Sequence, residues 1–332
     1  MDSKRITIDD VARDLQLSKT TVSRAISGKG RVGQATRERV MEYIQRTGYK
    51  PSTIARGLAN SRTYNIAFVM PGDTMATDMP FFQKCLWGIS NAAAARDYDV
   101  ILAMVSENDI SQLKRLTDNS KIDGVILGRS YKKDPVEEFL KQSGLPFVVI
   151  GTSSDGSVIQ IDNDHVGACD EITEFVLKKG CRRPVLIGGD SRAMVNEQRV
   201  RGFMKACGRY LIEPEIMLDC ERIPEIEKAV EKSLGQGADC IVCMDDGICA
   251  EVVSKLEKEG VAFPKDISIV SFYNSPLLDH ITPKITALSF DVKELGENSC
   301  SILIEDIDGT LNDKKMLLGY RLLRRGSVVG RN

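Results

Sequence analysis

Apolar positions recur at helical spacing in three short pieces near the start of the chain. Ile8, Val11, Ala12 and Leu15 form one face, Val22 and Ile26 a second, and Val40, Tyr43 and Ile44 a third, which predicts three short helices. The first can begin at Thr7, with Asp10 three positions on to complete a capping box, and Ser18 can cap a second helix running to about Ile26. A third runs from about Gln34 to Thr47 and stops at Gly48-Tyr49-Lys50-Pro51. Residues 52–60 can make two more turns with Ile54 and Leu58 on one side, but Gly57 and the short length leave such a helix unstable unless something holds it.

From Tyr64 the pattern changes to short apolar runs alternating with amphipathic stretches. Strands are predicted at 64–70, 98–105, 122–128 and 146–150, with helices near 82–97, 108–119 and 134–143 between them. A short strand at 158–161 and Asp162-Asn163, opening a helix over 164–179, restart the rhythm, with further strands near 184–188, 215–219, 239–244 and 267–272. Such alternation gives parallel α/β units. Strand 286–290, helix 292–306 and strand 318–324 are too few for a third domain and must join the existing sheets, so the chain crosses between two lobes more than once. The expected architecture is an all-helical head on a two-lobed α/β core, with a cleft between the lobes where polar strand-end residues converge on a small solute.

Charge assigns a role to the head. Residues 1–62 hold thirteen Lys or Arg against six Asp or Glu, a net of +7, while the whole chain is at −2. A basic head on an acidic body directs polyanion binding to the head. In a helix-turn-helix the second helix enters the DNA major groove, and here its first turns carry Lys19, Thr20 and Arg24, groups suited to base edges and phosphates. The segment at 52–60 then reads either as a hinge that folds in the minor groove and pushes Leu58 between base steps, or as a plain tether.

Three hundred and thirty-two residues with 42% apolar composition suffice for two or three domains. No run of about eighteen apolar residues occurs, and the nine cysteines are odd in number and lie in apolar contexts, as expected of reduced thiols in a cytoplasmic protein without a membrane partner. Cys240 and Cys243 would point to opposite faces of a strand, and with only His165 and His280 as histidines neither a metal site nor histidine acid–base chemistry is expected. Both histidines read as surface or cap residues. Gly28-Lys29-Gly30-Arg31-Val32-Gly33 matches G-x-G-x-x-G in letters but follows a helix, where a dinucleotide fingerprint must follow a strand. With no other nucleotide, hydrolase or zinc-protease motif, neither a cofactor nor an enzymatic activity is expected. The cleft candidates at strand ends are Asp73, Arg129, Asp190 and Asp246, the first and third alternatively turn or cap residues and Asp246 alternatively a helix cap. Arg199 lies on a helix, and Phe81-Phe82 is either a wall of the cleft or the first core turn of a helix.

Thr7-Ile8-Asp9-Asp10-Val11-Ala12, Ser18-Lys19-Thr20-Thr21-Val22-Ser23-Arg24, Gly48-Tyr49-Lys50-Pro51 and Ala55-Arg56-Gly57-Leu58-Ala59 together resemble the LacI/GalR family of bacterial transcription regulators. The resemblance continues through Pro80-Phe81-Phe82, Ile122-Asp123-Gly124, Arg199-Val200-Arg201-Gly202-Phe203 and Leu322-Leu323-Arg324-Arg325-Gly326-Ser327. It implies a homodimer on near-palindromic double-stranded operator DNA, acting most simply as a repressor, with a periplasmic-binding-protein-like core that senses a small metabolite. It places Lys19 and Thr20 at operator-reading positions, Arg24 at a base or phosphate contact, Ser18, Thr21 and Ser23 at backbone-anchoring positions with Ser27 at the end of the same helix, and Leu58 at the intercalating position. Phe82, Arg199 and Asp246 match effector-cleft positions, and Asp73, Phe81, Arg129 and Tyr273 complete the expected set. The implied boundaries are 1–50 for the head, 51–62 for the hinge, 63–162 with 290–318 for the first lobe, and 163–289 with 319–332 for the second. Two departures bear on the effector: Tyr273 and Gly151 stand where the family commonly has carboxylates that take ligand hydroxyls. That weakens a sugar assignment and leaves an atypical carbohydrate, an anionic metabolite or a protein co-regulator, the last with a cleft that takes no small ligand.

Overall fold

The computed structural model describes residues 6–27, 30–49, 62–72, 79–106 and 108–331. The proposed hinge over 52–60, with Leu58, and the cleft candidate Asp73 lie outside the described residues. The chain divides into two compact units, Met1–Tyr64 and Asn65–Asn332.

In the first unit, α1 (Ile8–Leu15), α2 (Lys19–Ser27) and α3 (Gln34–Thr47) surround one small core. Thr7 and Asp10 form the expected capping box: the Thr7 amide donates to Asp10 Oδ2 at 3.0 Å and the Asp10 amide to Thr7 Oγ1 at 3.4 Å. Those Thr7 bonds, with Arg13 adding its charge, hold the Asp10 carboxyl down to about 2, so it stays ionised at neutral pH. Gln16 ends α1 in the left-handed conformation at φ 54°, and the Thr21 amide donates to Ser18 Oγ at 3.0 Å to start α2. Val11, Val22 and Val40, one from each helix, are fully buried together with Ala12, Ala25, Tyr43 and Tyr49. The Tyr43 hydroxyl donates to Asp14 at 2.5 Å and ties α3 back to α1.

The second unit carries two six-stranded sheets. The first contains β1 (Asn65–Pro71), β2 (Asp99–Val105), β3 (Gly124–Leu127), β4 (Phe147–Ile150), β5 (Ile159–Asn163) and β11 (Lys315–Leu318), in the order β11-β5-β4-β3-β1-β2 and all parallel. The second contains β6 (Pro184–Ile187), β7 (Glu215–Met217), β8 (Cys240–Cys243), β9 (Ser268–Ser271), β10 (Thr286–Ser289) and β12 (Arg321–Leu323). Its order is β12-β10-β9-β8-β6-β7, with β12 alone antiparallel. Both sheets are covered by helices, which is why their central strands read as continuous apolar runs. Helices α4 (Met79–Ala94), α5 (Ser111–Asp118), α6 (Pro135–Ser143) and α11 (Val292–Ile307) pack on the first sheet, and α7 (His165–Lys178), α8 (Met194–Arg209), α9 (Ile223–Gly235) and α10 (Asp246–Lys258) on the second. Glycines set the closest helix contact: a Cβ on Gly88 of α4 would stand 2.1 Å from the Lys293 carbonyl, and one on Gly296 of α11 would stand 2.2 Å from that of Cys85.

Three crossings join the lobes: β5 to α7, β10 to α11, and β11 to β12. The last corrects the sequence reading. The strand expected over 318–324 is β12, and a further strand not expected from the sequence, β11, lies just before it, parted from it by Gly319-Tyr320; each completes the edge of a different sheet. Asp162 and Asn163 likewise belong to β5 instead of opening the next helix, whose cap is Asp164, accepting the Gly167 amide at 2.8 Å. The helix expected over 82–97 begins earlier, at Met79. All nine cysteines are buried free thiols, and seven of them lie in the core of the second lobe.

Candidate nucleic-acid interface and interlobe site

On α2 the inward positions are Val22 and Ala25, while Lys19, Thr20, Ser23 and Arg24 are exposed. That division follows from the helical period, which leaves one polar face once the apolar face is spent on the core. Ser18 and Thr21 are engaged locally, with their hydroxyls 2.8 Å apart. Lys19 forms an ion pair with Asp9 across the turn, both groups being more than half exposed. The aliphatic stem of Arg24 rests against Gly30, whose φ of 85° and absent Cβ let the two segments approach. Ser27 is the last residue of α2.

Within the core, the described residues bring the lobes together near the strand ends through a backbone latch and an aromatic row. Tyr131, after β3, and Ala193, before α8, form an isolated antiparallel bridge, with the Lys132 amide donating to the Arg192 carbonyl at 3.0 Å and the Met194 amide to the Ser130 carbonyl at 3.1 Å. Arg129 donates to the Tyr131 hydroxyl at 2.7 Å, and the Arg129 and Arg192 guanidiniums lie 5.7 and 5.9 Å from the Tyr131 ring centre. Asp190, read from sequence as a cleft or turn residue, pairs with Arg192 at 2.9 Å, and Lys132 pairs with Glu197 across the lobes at 3.2 Å. Burial raises the Asp190 carboxyl, but the bonds and charge of Arg192 outweigh it and hold the group ionised.

The other contact is aromatic. Phe82 meets Phe81 edge-on at 5.2 Å, Phe81 meets Tyr273 of the second lobe at 6.4 Å, and Tyr273 stacks on Phe290 at 6.5 Å. Phe290 in turn lies 4.9 Å from the His165 ring, and Arg129 joins the near end of the row at 5.7 Å from Phe82. His165 corrects its reading as a surface or cap residue: it is 7% exposed and pairs through Nε2 with Asp162 at 3.3 Å. Asp162 also accepts from Thr152 at 3.0 Å and from Gln198 of the second lobe at 3.1 Å. Burial opposes ionisation of Asp162, but His165 and Gln198 prevail and keep its pKa below the usual carboxylate value.

The structure therefore links Phe81, Phe82, Arg129 and Tyr273 through ring contacts. Arg199 and Asp246 stand apart from that row, on α8 and at the start of α10. Arg199 is 9% exposed, with its Nε buried and, among the described residues, no hydrogen bond or ion pair. Asp246 is 5% exposed, and the cap of α10 is its neighbour Asp245, which accepts the Ile248 amide at 2.8 Å. Gly151 has φ 116°, a conformation restricted to glycine, and a Cβ there would stand 2.7 Å from Ser130 Oγ. The missing carboxylate at that position is thus a property of the backbone and not only of the side chain. Sequence reasoning passed over Tyr131, Arg192, Thr152, Gln198 and Phe290; a Tyr between cationic residues was the one available signal. Among the described residues no group of His, Cys, Asp or Glu is placed to hold a metal ion, and no helix is long and apolar enough to cross a membrane.

A capped helix-turn-helix unit and a two-lobed parallel α/β core together define a sequence-specific DNA-binding transcription regulator of the allosterically controlled kind, and not an enzyme. Residues 7–52 match the model of bacterial regulatory proteins of the lacI family, and residues 173–328 that of the periplasmic binding protein-like domain. Catabolite control protein A of Staphylococcus xylosus is 28% identical over 339 residues, covering 97% of this chain and 99% of that one. A putative LacI transcriptional regulator from Bacillus cereus subsp. cytotoxis is 26% identical, with a TM-score of 0.74 over 81% of this chain and 99% of that one. The lac repressor dimer bound to operator and the anti-inducer ONPF shares the fold, at a TM-score of 0.78 and 20% identity over 98% of this chain and 100% of that one. The chain belongs to the LacI/GalR family of bacterial transcriptional regulators.

Proposed function

We propose that the protein is a homodimeric repressor that reads a near-palindromic operator with two copies of α2, its affinity set by a small metabolite between the lobes. The observation that carries this reading is the exposed row Lys19, Thr20, Ser23 and Arg24 on a helix anchored by buried Val22 and Ala25. One such helix spans only a few base pairs, so a useful specificity needs two half-sites and a dimer. The lac repressor of the compared structure is a dimer on its operator, and that arrangement is carried over to this chain as part of the proposal. Trp87 on α4 is 57% exposed and Leu102 on β2 is 46% exposed, large apolar groups that favour a self-association face on the first lobe. Leu58 takes the role of minor-groove wedge. Selection of bound fragments from a random DNA pool is expected to return two half-sites related by a two-fold axis. Single unpaired sites, or no enrichment at all, would overturn the reading.

Arg199 favours an anionic or strongly hydrogen-bonding effector, because a buried guanidinium that has no partner among the described residues is costly until one is supplied. With Tyr273 and Gly151 in place of two carboxylates, an anion suits the site better than a neutral sugar. Arg199→Met is expected to raise the stability of the ligand-free protein by about 1–2 kcal/mol while abolishing stabilisation by any metabolite that stabilises the parent. Thermal unfolding with and without a metabolite panel reads both effects, and an unchanged ligand response in the variant would remove Arg199 from the site. The row Phe81–Tyr273–Phe290 favours a second reading, in which the protein's own rings already fill the cleft and a protein co-regulator acts instead. On that reading no metabolite in the panel stabilises the parent protein.

A further inference from the structure

Three carboxylates lie on α1, and two of them are engaged inside the head. Asp10 closes the capping box with Thr7, and Asp14 accepts the Tyr43 hydroxyl that ties α3 to α1. Asp9 takes part in neither. It is exposed in the first turn of α1 and forms its ion pair across the turn with Lys19, the first residue of α2. An exposed pair of this kind contributes little to stability. It does hold a carboxylate at the N-terminal end of the helix whose first turns enter the major groove. The head carries a net charge of +7 over residues 1–62, and a carboxylate at its reading end works against binding to phosphates. Asp9 therefore lowers affinity for DNA in general, and sequence selection is what it can raise.

The edge of a G·C pair offers what the two groups need once they part. When Lys19 exchanges Asp9 for DNA, guanine O6 and N7 can accept from the ammonium, and the cytosine N4 amino group, beside O6 on the same edge, can donate to a carboxylate. A phosphate offers Asp9 nothing, because both are acceptors carrying negative charge. We infer that Asp9 is a specificity-determining residue that accepts a hydrogen bond from a cytosine N4 amino group of the operator, in the base pair that Lys19 contacts or in the adjacent one. Where the sequence lacks that cytosine, Lys19 still leaves for a phosphate, but Asp9 is left without a donor and beside like charge. The carboxylate thus weakens binding to DNA in general more than binding to the operator. This inference rests on the reading of α2 as the operator-reading helix.

The test is selection from a random DNA pool with the full chain, followed by mobility-shift titration on selected and scrambled fragments. The parent protein is expected to select a cytosine at one position of each half-site that Asp9→Ala no longer selects, the penalty for replacing that base falling from about tenfold to about twofold or less. Asp9→Asn is expected to admit adenine there, since an amide matches adenine N6 and N7, and it keeps the shape of the side chain should Asp9→Ala fail to fold. Both variants are expected to bind scrambled DNA about threefold or more tightly than the parent, with a steeper salt dependence, as Lys19 is released to phosphates. A purely structural Asp9 would shift the unfolding midpoint and leave the selected sequence unchanged, which overturns the inference. A preference that Asp9→Ala alters only when Lys19 is present, and not in Lys19→Ala, also overturns it, since Asp9 would then act only by holding Lys19. Paired half-sites that are the same for the parent and Asp9→Ala overturn this inference alone, whereas a parent that selects no paired half-sites overturns the operator-reading function with it.

Discussion

Arg24→Ala is expected to weaken operator binding about tenfold or more, and Thr20→Ala to change which base is preferred at one position of each half-site. The first figure follows from the 1–3 kcal/mol or so of a good arginine contact to a base edge or phosphate. Arg24 is set up for such a contact because its stem is supported by Gly30 and its guanidinium is exposed. Lys19 begins from a different state: it is paired with Asp9 and must exchange that carboxylate for DNA, so Lys19→Ala is expected to cost less than Arg24→Ala. Mobility-shift titrations on selected and scrambled DNA separate the roles. A loss that is equal on every sequence marks a phosphate contact and shows as a shallower salt dependence. A Thr20→Ala protein with unaltered sequence preference would remove Thr20 from the reading face.

Gly151→Asp, the change that would restore the family's more common carboxylate, is expected to destabilise the core by about 1–3 kcal/mol instead of creating a sugar site. The φ of 116° is strained for any side chain, and the new Cβ would meet Ser130 Oγ at 2.7 Å. Ser130 is also the acceptor of a latch hydrogen bond, from Met194 at 3.1 Å, so displacing it also loosens the contact between the lobes. For a unit of this size each kcal/mol lowers the unfolding midpoint by roughly 2–4 °C, which thermal unfolding detects easily. A Gly151→Asp protein of parental stability that gains affinity for a neutral sugar would show that the backbone relaxes and that specificity here is a matter of side chains alone.

The head was legible almost to the residue, because its three helices are short and announce themselves with Thr7, Ser18 and Gly48 at their ends. The alternation of strands and helices in the core was equally plain, since doubly covered strands are unbroken apolar runs. What failed was the edge. β11 and β12 bury little, and β11 is exposed at three of its four positions, so nothing in the hydrophobic pattern announces β11 as a strand ahead of the one expected over 318–324. The interlobe site was legible in part for a similar reason. Phe81, Phe82 and Arg129 stand out at strand ends or a helix start, whereas Asp162 and His165 look like helix-opening residues until β5 is seen to carry the first. The Tyr131–Ala193 bridge joins two loops far apart in sequence and has no periodic signature.

The three crossings also constrain the order in which the protein can mature on the ribosome. When Asp291 has been added, the first sheet still lacks β11 and its covering helix α11, and the second lacks β12. Thr286 and Ile269, already in place, await Ser327, whose hydroxyl accepts from the Thr286 amide at 2.8 Å and donates to the Ile269 carbonyl at 2.6 Å. Neither lobe can close vectorially, as consecutive domains commonly do during synthesis. The head, whose three helices lie within the first fifty residues, can fold long before the two lobes, and a nascent or prematurely ended chain would present a finished helix-turn-helix with no core attached.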